Sequence, residues 1–350
     1  MTTRRTPPHR RHLRHPHAAA DGPHDAHDSP GASLAAIVIR VLGILMMLTA
    51  VAVTLAHAPD HSVESLVARW APPPSDFLVL KGQLVHYRDE GPRNDPAPLV
   101  LVHGTAASLH TWEGWVGALR GTHRVITFDL PGFGLTGPFA GQYARDDYHG
   151  DTLARFTLDL MDRLHVARFA IGGNSLGGEV AWRVASLAPG RVDKLVLVDA
   201  SGYAFTPDHL PAGFLLARTP VLNRVGEYLT PRAVVEDSVR DVYADPSKVT
   251  GPLVDRYFEM LLREGNRRAL NLRMNQLDAG RDVARLAQLH VPTLVVWGDR
   301  DRLIPPASAQ QFAHDIPGAS LVLLKDLGHV PQEEDPARSV APVRAFLEAR

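Results

Sequence analysis

The chain has 350 residues and no cysteine. Disulfides, thiolate metal sites, iron–sulfur clusters and a cysteine nucleophile are thereby excluded. The absence fixes no compartment, because a cysteine-free domain folds on either side of a membrane. An excess of one charge is also missing. Lys and Arg number 37 against 38 Asp and Glu, for a formal net charge of -1. A global basic footprint for nucleic acid is therefore absent, and no nucleic-acid partner is expected. Internal repeats are lacking too. What is present is 45% hydrophobic and 21% charged residues, the proportions of an ordinary soluble enzyme with a sizeable core. The length suits a tail plus one large domain, or two modest domains.

The balanced charge hides an asymmetry. Residues 1–32 carry Arg4, Arg5, Arg10, Arg11 and Arg14 and a run of His9, His12, His15 and His17, with Leu13 the only large aliphatic after Met1. Such a stretch buries too little apolar surface to offset chain entropy, so it reads as a disordered tail. Its histidines imply no fixed metal geometry. Residues 33–58 change character. From Leu34 to Ala56 the only charge is Arg40, placed where its stem can snorkel to the headgroups. This run is long enough to span about 30 Å of hydrocarbon as a helix, so 33–58 is expected to be a transmembrane anchor. Arginines precede it, and Asp60 and Glu64 follow it. The positive-inside bias puts the N-terminus in the cytoplasm and the rest outside, which in a bacterium is the periplasm. A cleaved signal peptide is the rival, because Ala56-His57-Ala58 has the small-x-small form. Pro59 and the long preceding tail oppose it. Residues 59–75 read as a juxtamembrane linker, with a short amphipathic helix over Ser62–Trp70 and a stiff Pro72-Pro73-Pro74 spacer.

From Ser75 strands and helices alternate. Strands are expected at Phe77–Leu80, Leu84–Arg88, Leu99–His103, Arg124–Asp129, Phe169–Gly172, Lys194–Asp199, Thr293–Trp297 and Ser320–Lys325. The first two are joined by a tight hairpin at Lys81-Gly82. The later runs are continuously apolar, as for parallel strands covered on both faces. Helices are expected at about Trp112–Arg120, Asp151–His165, Leu176–Ala188, Ala307–Ile316 and Pro336–Ala349. This is an α/β pattern. It breaks over residues 201–289, which are helical in composition and read as a cap inserted between two parts of a core, 76–200 and 290–350.

The chemistry centres on Gly173-Asn174-Ser175-Leu176-Gly177-Gly178. The pentapeptide alone is a weak motif, but here an apolar strand leads in and a helix leads out. A sharp strand-to-helix turn strains the serine and demands glycines where a Cβ would collide. Ser175 would then be presented at the top of the sheet, beside a helix N-terminus. A serine hydroxyl needs a base, and the base an orienting acid. His329, after the last strand, is the best base. Asp301, after the preceding strand, is the best acid, with Asp299 and Asp199 as competitors. All lie at carboxyl ends of parallel strands, where open α/β sheets place ligands.

The order Ser, Asp, His in these settings resembles the α/β-hydrolase superfamily, over essentially all of the chain after the anchor. Three further segments carry the resemblance. Leu99-Val100-Leu101-Val102-His103-Gly104-Thr105 is similar to the strand and His-Gly turn that supplies half of an oxyanion hole. Phe128-Asp129-Leu130-Pro131-Gly132-Phe133-Gly134 is similar to the family's Asp-x-Pro-Gly-x-Gly loop. The 201–289 insertion falls where the family carries its cap. The resemblance implies an eight-stranded, mostly parallel sheet flanked by helices, with an oxyanion hole from the backbone N–H groups of Thr105 and Leu176. Family spacing from Gly298 to Pro305 favours Asp301 as the acid and leaves Asp299 to the turn, while Asp199 occupies a position some relatives use. His103 and Asn174 are candidate substrate contacts, each with an ordinary hydrogen-bonding role as the alternative. Asp129 reads as a loop brace. Arg273 and Asn275 read as solvent or salt-bridge groups with a pocket-facing alternative, and Trp112 and Trp115 as core.

The resemblance implies a serine hydrolase needing no metal or organic cofactor, acting on a small molecule with an apolar ester or acyl group. Gly-Asn-Ser-x-Gly-Gly and the linear cap also resemble the carbon–carbon bond hydrolases of ring-fission diketones. Two departures weigh against these: the oxyanion segment is not glycine-rich, and Val330 stands where they carry Trp. A serine at the nucleophile position argues against haloalkane dehalogenases and epoxide hydrolases. A binding protein on an inactive hydrolase fold is the non-enzymatic alternative.

Overall fold

The computed structural model describes residues 30–349, with side-chain exposure from Leu34 onward. The expected basic tail and its histidine run lie outside the described residues, apart from Pro30–Ala32, which open the first helix. Contacts divide the chain into two units, at Ala52 and Val53. Helix α1 (Pro30–Ala56) begins on a proline, whose missing N–H costs nothing in a first turn. Its Leu34–Ala56 stretch is 23 residues of mean hydropathy 2.5, with none of its apolar window buried. That is long and apolar enough to cross a membrane.

The second unit is built on eight strands: β1 (Asp76–Leu80), β2 (Gln83–Glu90), β3 (Leu99–Val102), β4 (Val125–Phe128), β5 (Phe169–Asn174), β6 (Val192–Val198), β7 (Thr293–Gly298) and β8 (Ser320–Leu324). They form one sheet in the order β1-β2-β4-β3-β5-β6-β7-β8. The pairs β1/β2 and β2/β4 are antiparallel, and the remaining pairs are parallel. The hairpin turn is Lys81-Gly82, with φ of 49° and 88°. Two left-handed residues match the twist of the flanking strands. Central strands β3, β4, β5 and β7 are buried at every residue. That explains their largely apolar sequence, since helices cover both faces. The expected ends of several strands fall just outside the observed ones, because the chain turns there. Asp199, for example, leaves β6 at φ 43°.

The crossover helices sort onto two faces. After α2 (Val63–Trp70), α3 (Glu113–Leu119) lies on one face of the sheet. On the other are α4 (Gly150–Arg163) and α5 (Leu176–Leu187). Between β6 and β7 the chain forms α6 (Ala212–Arg218), α7 (Leu222–Gly226), α8 (Arg232–Asp241), α9 (Gly251–Leu262) and α10 (Asn266–Asn275), with no strand among them. Three helices complete the fold: α11 (Ala307–Asp315), which joins the α4 and α5 face, then α12 (Pro331–Glu334) and α13 (Pro336–Glu348), which packs with α3. Trp112 and Trp115 are fully buried beneath α3, as core residues.

The segment expected to be a linker is docked instead. Helix α2 is capped by Ser62, and its Leu66 is buried with Leu135 and Met260. Trp70 Nε1 donates to Glu259 at 2.6 Å, and Arg69 pairs with the same carboxylate. Arg267 meets Asp60 at 2.7 Å. The partners are non-local, so the amphipathic pattern of α2 predicts its helix and not its berth.

Candidate active site

The turn from β5 into α5 holds Ser175 at φ 55°, ψ −118°. A non-glycine residue with positive φ is uncommon and strained. The surrounding glycines are required by close approach. A Cβ on Gly173 would lie 2.1 Å from the Gly177 carbonyl oxygen, and one on Gly177 would lie 1.9 Å from that of Val102. The sequence G-x-S-x-G is therefore the imprint of backbone meeting backbone. The Ser175 N–H is tied to the Val198 carbonyl at 3.0 Å, which hangs the turn on β6.

His329 follows β8 in the loop before α12. Its Nδ1 donates to Asp301 Oδ2 at 2.7 Å. The other oxygen, Oδ1, accepts from the N–H groups of Leu303 and Ile304 at 2.8 and 3.0 Å, so the carboxylate is fixed at both ends. Asp299 is a turn group, its Oδ1 accepting from the Asp326 N–H at 2.7 Å. Asp199 is fully buried with one oxygen on the Gly298 N–H at 3.0 Å and the other unpartnered among the described residues. Burial first, and the neighbouring Asp301 carboxylate second, push Asp199 well above the usual carboxylate range. Asp199, Asp301 and His329 are also the described grouping in which three potential metal-ligand atoms come within 4.8 Å. The His329–Asp301 hydrogen bond already uses the best-placed pair.

Ser175 and His329 line one pocket with Gly104, Thr105, Ala106 and Val330. Its opposite wall comes from the helices between β6 and β7, chiefly Phe214, Leu216, Val235, Val239, Leu261 and Leu270. Tyr257, Arg267 and Asn271 add a few polar groups to this mostly apolar chamber. Among the described residues, the N–H groups of Thr105 and Leu176 donate to no protein acceptor. Ala106 is left-handed at φ 59°, which bends the chain after Thr105.

The two candidate substrate contacts fare differently. His103 does not line the pocket: Nδ1 donates to the Gly104 carbonyl at 2.7 Å, and Nε2 accepts from the Leu130 N–H at 2.9 Å. Burial lowers its pKa, and the ring is braced between two turns. Asn174 borders the pocket, yet its Nδ2 is spent on the carbonyls of Val198 and His329, at 3.2 and 2.9 Å. It ties the His329 loop to β5 and β6. Asp129 is the brace expected of it, accepting from Leu109 N–H, Leu135 N–H and His86 Nδ1 at 2.7, 2.8 and 2.7 Å. Burial pushes its carboxyl up, but His86 and then His103 and His110 outweigh that and hold it well below the usual range. Gly134 has no alternative there, because a Cβ would strike that carboxylate at 2.2 Å.

Sequence reasoning gave Arg273 a solvent or salt-bridge role without a partner, and it missed Glu334. Arg273 reaches Glu179 on α5 at 2.6 Å and the Tyr148 carbonyl at 3.1 Å, so its role is a buried ion pair joining α10 to α5. Glu334 accepts from the N–H groups of Gly328, Ala244 and Asp245, at 2.8, 3.1 and 2.9 Å, and so fastens the His329 loop to the end of α8. The only signal for it is an acidic residue in a short, otherwise buried helix.

A doubly covered parallel sheet with a serine elbow and a histidine–carboxylate pair at its carboxyl edge defines a hydrolase of the α/β fold. The comparisons agree: the alpha/beta hydrolase fold family matches residues 97–336, and the chain belongs to it. Among curated relatives, the dihydrolipoyllysine-residue acetyltransferase component of the acetoin cleaving system of Pseudomonas putida is 33% identical over 253 residues, 71% of this chain. The chain spans only 63% of that relative's length. Lipase 3 of Moraxella sp. is 28% identical over 262 residues, 71% of this chain and 76% of the lipase. Among solved structures, a meta-cleavage product hydrolase from Pseudomonas fluorescens superposes with a TM-score of 0.65 at 26% identity, covering 78% of this chain and 97% of that one.

Proposed function

We propose that the protein is a membrane-anchored serine hydrolase that cleaves an ester-like carbonyl bond through an acyl-enzyme. Residues 201–289 act as a cap over a core of 76–200 and 290–350, and 33–58 is a retained anchor with the catalytic domain outside the cytoplasm. Ser175 Oγ attacks the carbonyl carbon while His329 Nε2 takes its proton. The oxyanion is held by the N–H groups of Thr105 and Leu176, each donor worth about 3–4 kcal/mol of transition-state stabilisation. His329 returns the proton to the departing alcohol as the carbon–oxygen bond breaks. It then activates water, which releases the acid and restores Ser175. Asp301 orients His329 and stabilises its cation.

The observation that carries this reading is the 2.7 Å bond from His329 to Asp301, with Ser175 and His329 on the same apolar pocket. The test is hydrolysis of p-nitrophenyl esters of graded chain length by the full chain in detergent, with fluorophosphonate labelling. Ser175→Ala is expected to lower turnover by roughly 10⁴–10⁶ and to abolish labelling in a folded protein. Hydrolysis retained in that variant would refute the assignment. Carbon–carbon hydrolysis is the second reading, favoured by the meta-cleavage product hydrolase among its structural neighbours. Turnover of a ring-fission diketone far above that of any ester would select it.

A further inference from the structure

Helices α6 and α7 have two unlike faces. The inner one, with Phe214, Leu216, Ala217 and Gly226, walls the pocket. The outer one leaves Leu215, Leu222 and Val225 exposed, at 57%, 49% and 44%, and the flanking Val221 and Tyr228 are exposed at 72% and 67%. Five large apolar side chains so close in sequence are a concentrated patch, unlike singly scattered surface residues. Val221 sits at φ 71°, a costly conformation for a β-branched residue, and holds its side chain outward. Arg218 and Arg224 are exposed beside these residues, and neither forms an ion pair among the described residues. The patch also has a fixed neighbour in the chain. The Ala58 N–H donates to the Tyr228 carbonyl at 3.3 Å, and His57 bridges Leu229. Ala58 is two residues beyond Ala56, where the apolar helix ends, and two residues reach at most about 7 Å.

We infer that the outer face of α6 and α7 lies in the interface of an anionic phospholipid bilayer, so that the enzyme draws a lipid-borne acyl ester into its pocket past these helices. The inference rests on the reading of Leu34–Ala56 as a retained anchor. If that segment spans a bilayer, its end is at the membrane surface, and the bond from Ala58 to Tyr228 keeps α7 there. Apolar side chains then enter the boundary between headgroups and acyl chains, while Arg218 and Arg224 meet lipid phosphates. The same two helices form the pocket wall, so an acyl chain has a short apolar path from the membrane to Ser175.

The absence of cysteine makes the test direct. Single cysteines replace Val221 or Leu222 on the patch, Leu45 in α1, or Arg163 at the far end of α4, by the amino edge of the sheet. Each full-length variant carries an environment-sensitive fluorophore and is reconstituted in phosphatidylcholine–phosphatidylglycerol vesicles with lipid-borne quenchers. The probes at positions 221, 222 and 45 are expected to be quenched, and the one at 163 is not. Quenching at 45 without quenching at 221 and 222 overturns the inference and leaves the anchor standing. No quenching at 45 removes the anchor and the inference with it. A blue-shifted but unquenched probe at 221 means that protein, such as a second copy, covers the patch, and this also overturns it. As a functional readout, combined Leu215→Ser, Val221→Ser and Leu222→Ser is expected to slow turnover of a vesicle-borne ester about tenfold while sparing a soluble short-chain ester. Equal loss on both substrates contradicts a membrane role for the patch.

Discussion

The two sides of the pocket are made differently. On the sheet side, most polar groups around Ser175 are paired, while Asp199 Oδ2 and the N–H groups of Thr105 and Leu176 have no partner among the described residues. His329 is held by Asp301 and Asn174, and its N–H also donates to the Val242 carbonyl of the inserted segment, while Asp301 is held by two backbone N–H groups. On the side of the inserted helices, the wall is largely aliphatic, the helices are short, and their outer surface stays apolar. The difference teaches a division of labour. Chemistry needs donors and acceptors fixed to fractions of an ångström, which strands and their turns supply. Recognition of an apolar group needs shape and dryness, which small helices supply with little demand on any one residue.

The sharpest way to break this comparison is at the paired carboxyls of the sheet side. Asp301→Asn is expected to reduce turnover by about 10⁴, because His329 loses the partner that sets its tautomer. Asp199→Asn, its isosteric neighbour, is expected to keep most activity. The folded-state pKa of Asp199 is raised, so its contribution to stability is fully present below the unfolded value near 3.9 and is lost as pH rises through the folded one. Asp199→Asn should therefore gain stability relative to the parent above about pH 4, and the gain should vanish in more acidic solution. Chemical denaturation across that range checks it. Equal activity losses at the two positions would mean that the carboxyls act as one unit.

Next in size is the brace behind the Gly104-Thr105 turn. Asp129→Asn is expected to cost about 3–5 kcal/mol of stability at neutral pH, since it breaks a buried pair and puts an amide against N–H donors. The Asp129 pKa is depressed, so the stability it confers is present above about pH 4 and fades as pH falls towards the folded value. Thermal melts of parent and variant should converge in acid. The smallest effects belong to the helical wall. Phe214→Ala or Leu216→Ala should leave short esters almost untouched and shift the preferred acyl chain longer, by roughly tenfold in relative kcat/KM. A loss on every chain length would give the wall a part in the chemistry and collapse the contrast.

These sites also differ in how far they can be read from residues. The elbow is legible because backbone contacts as close as those at Gly173 and Gly177 leave no choice of residue. The apolar runs of β3, β4 and β7 are legible because burial on both faces strongly disfavours polar side chains. The partner of Arg273 and the role of Glu334 are not legible, because nothing local marks which of many charged residues will meet a partner 94 or 6 positions away.

By itself the sequence determined the order of strands and helices, the strained serine turn, the histidine after the last strand and the long apolar helix. All of these are written in local periodicity and in residues that sterics make obligatory. Only the tertiary structure pairs the His329 ring with Asp301 and not with Asp199, since both follow adjacent strands. It likewise committed His103 to the backbone, docked α2 on α9, and set one face of α6 against the pocket while leaving the other bare. Each of these depends on distances between segments far apart in the chain, and local pattern carries no record of such distances.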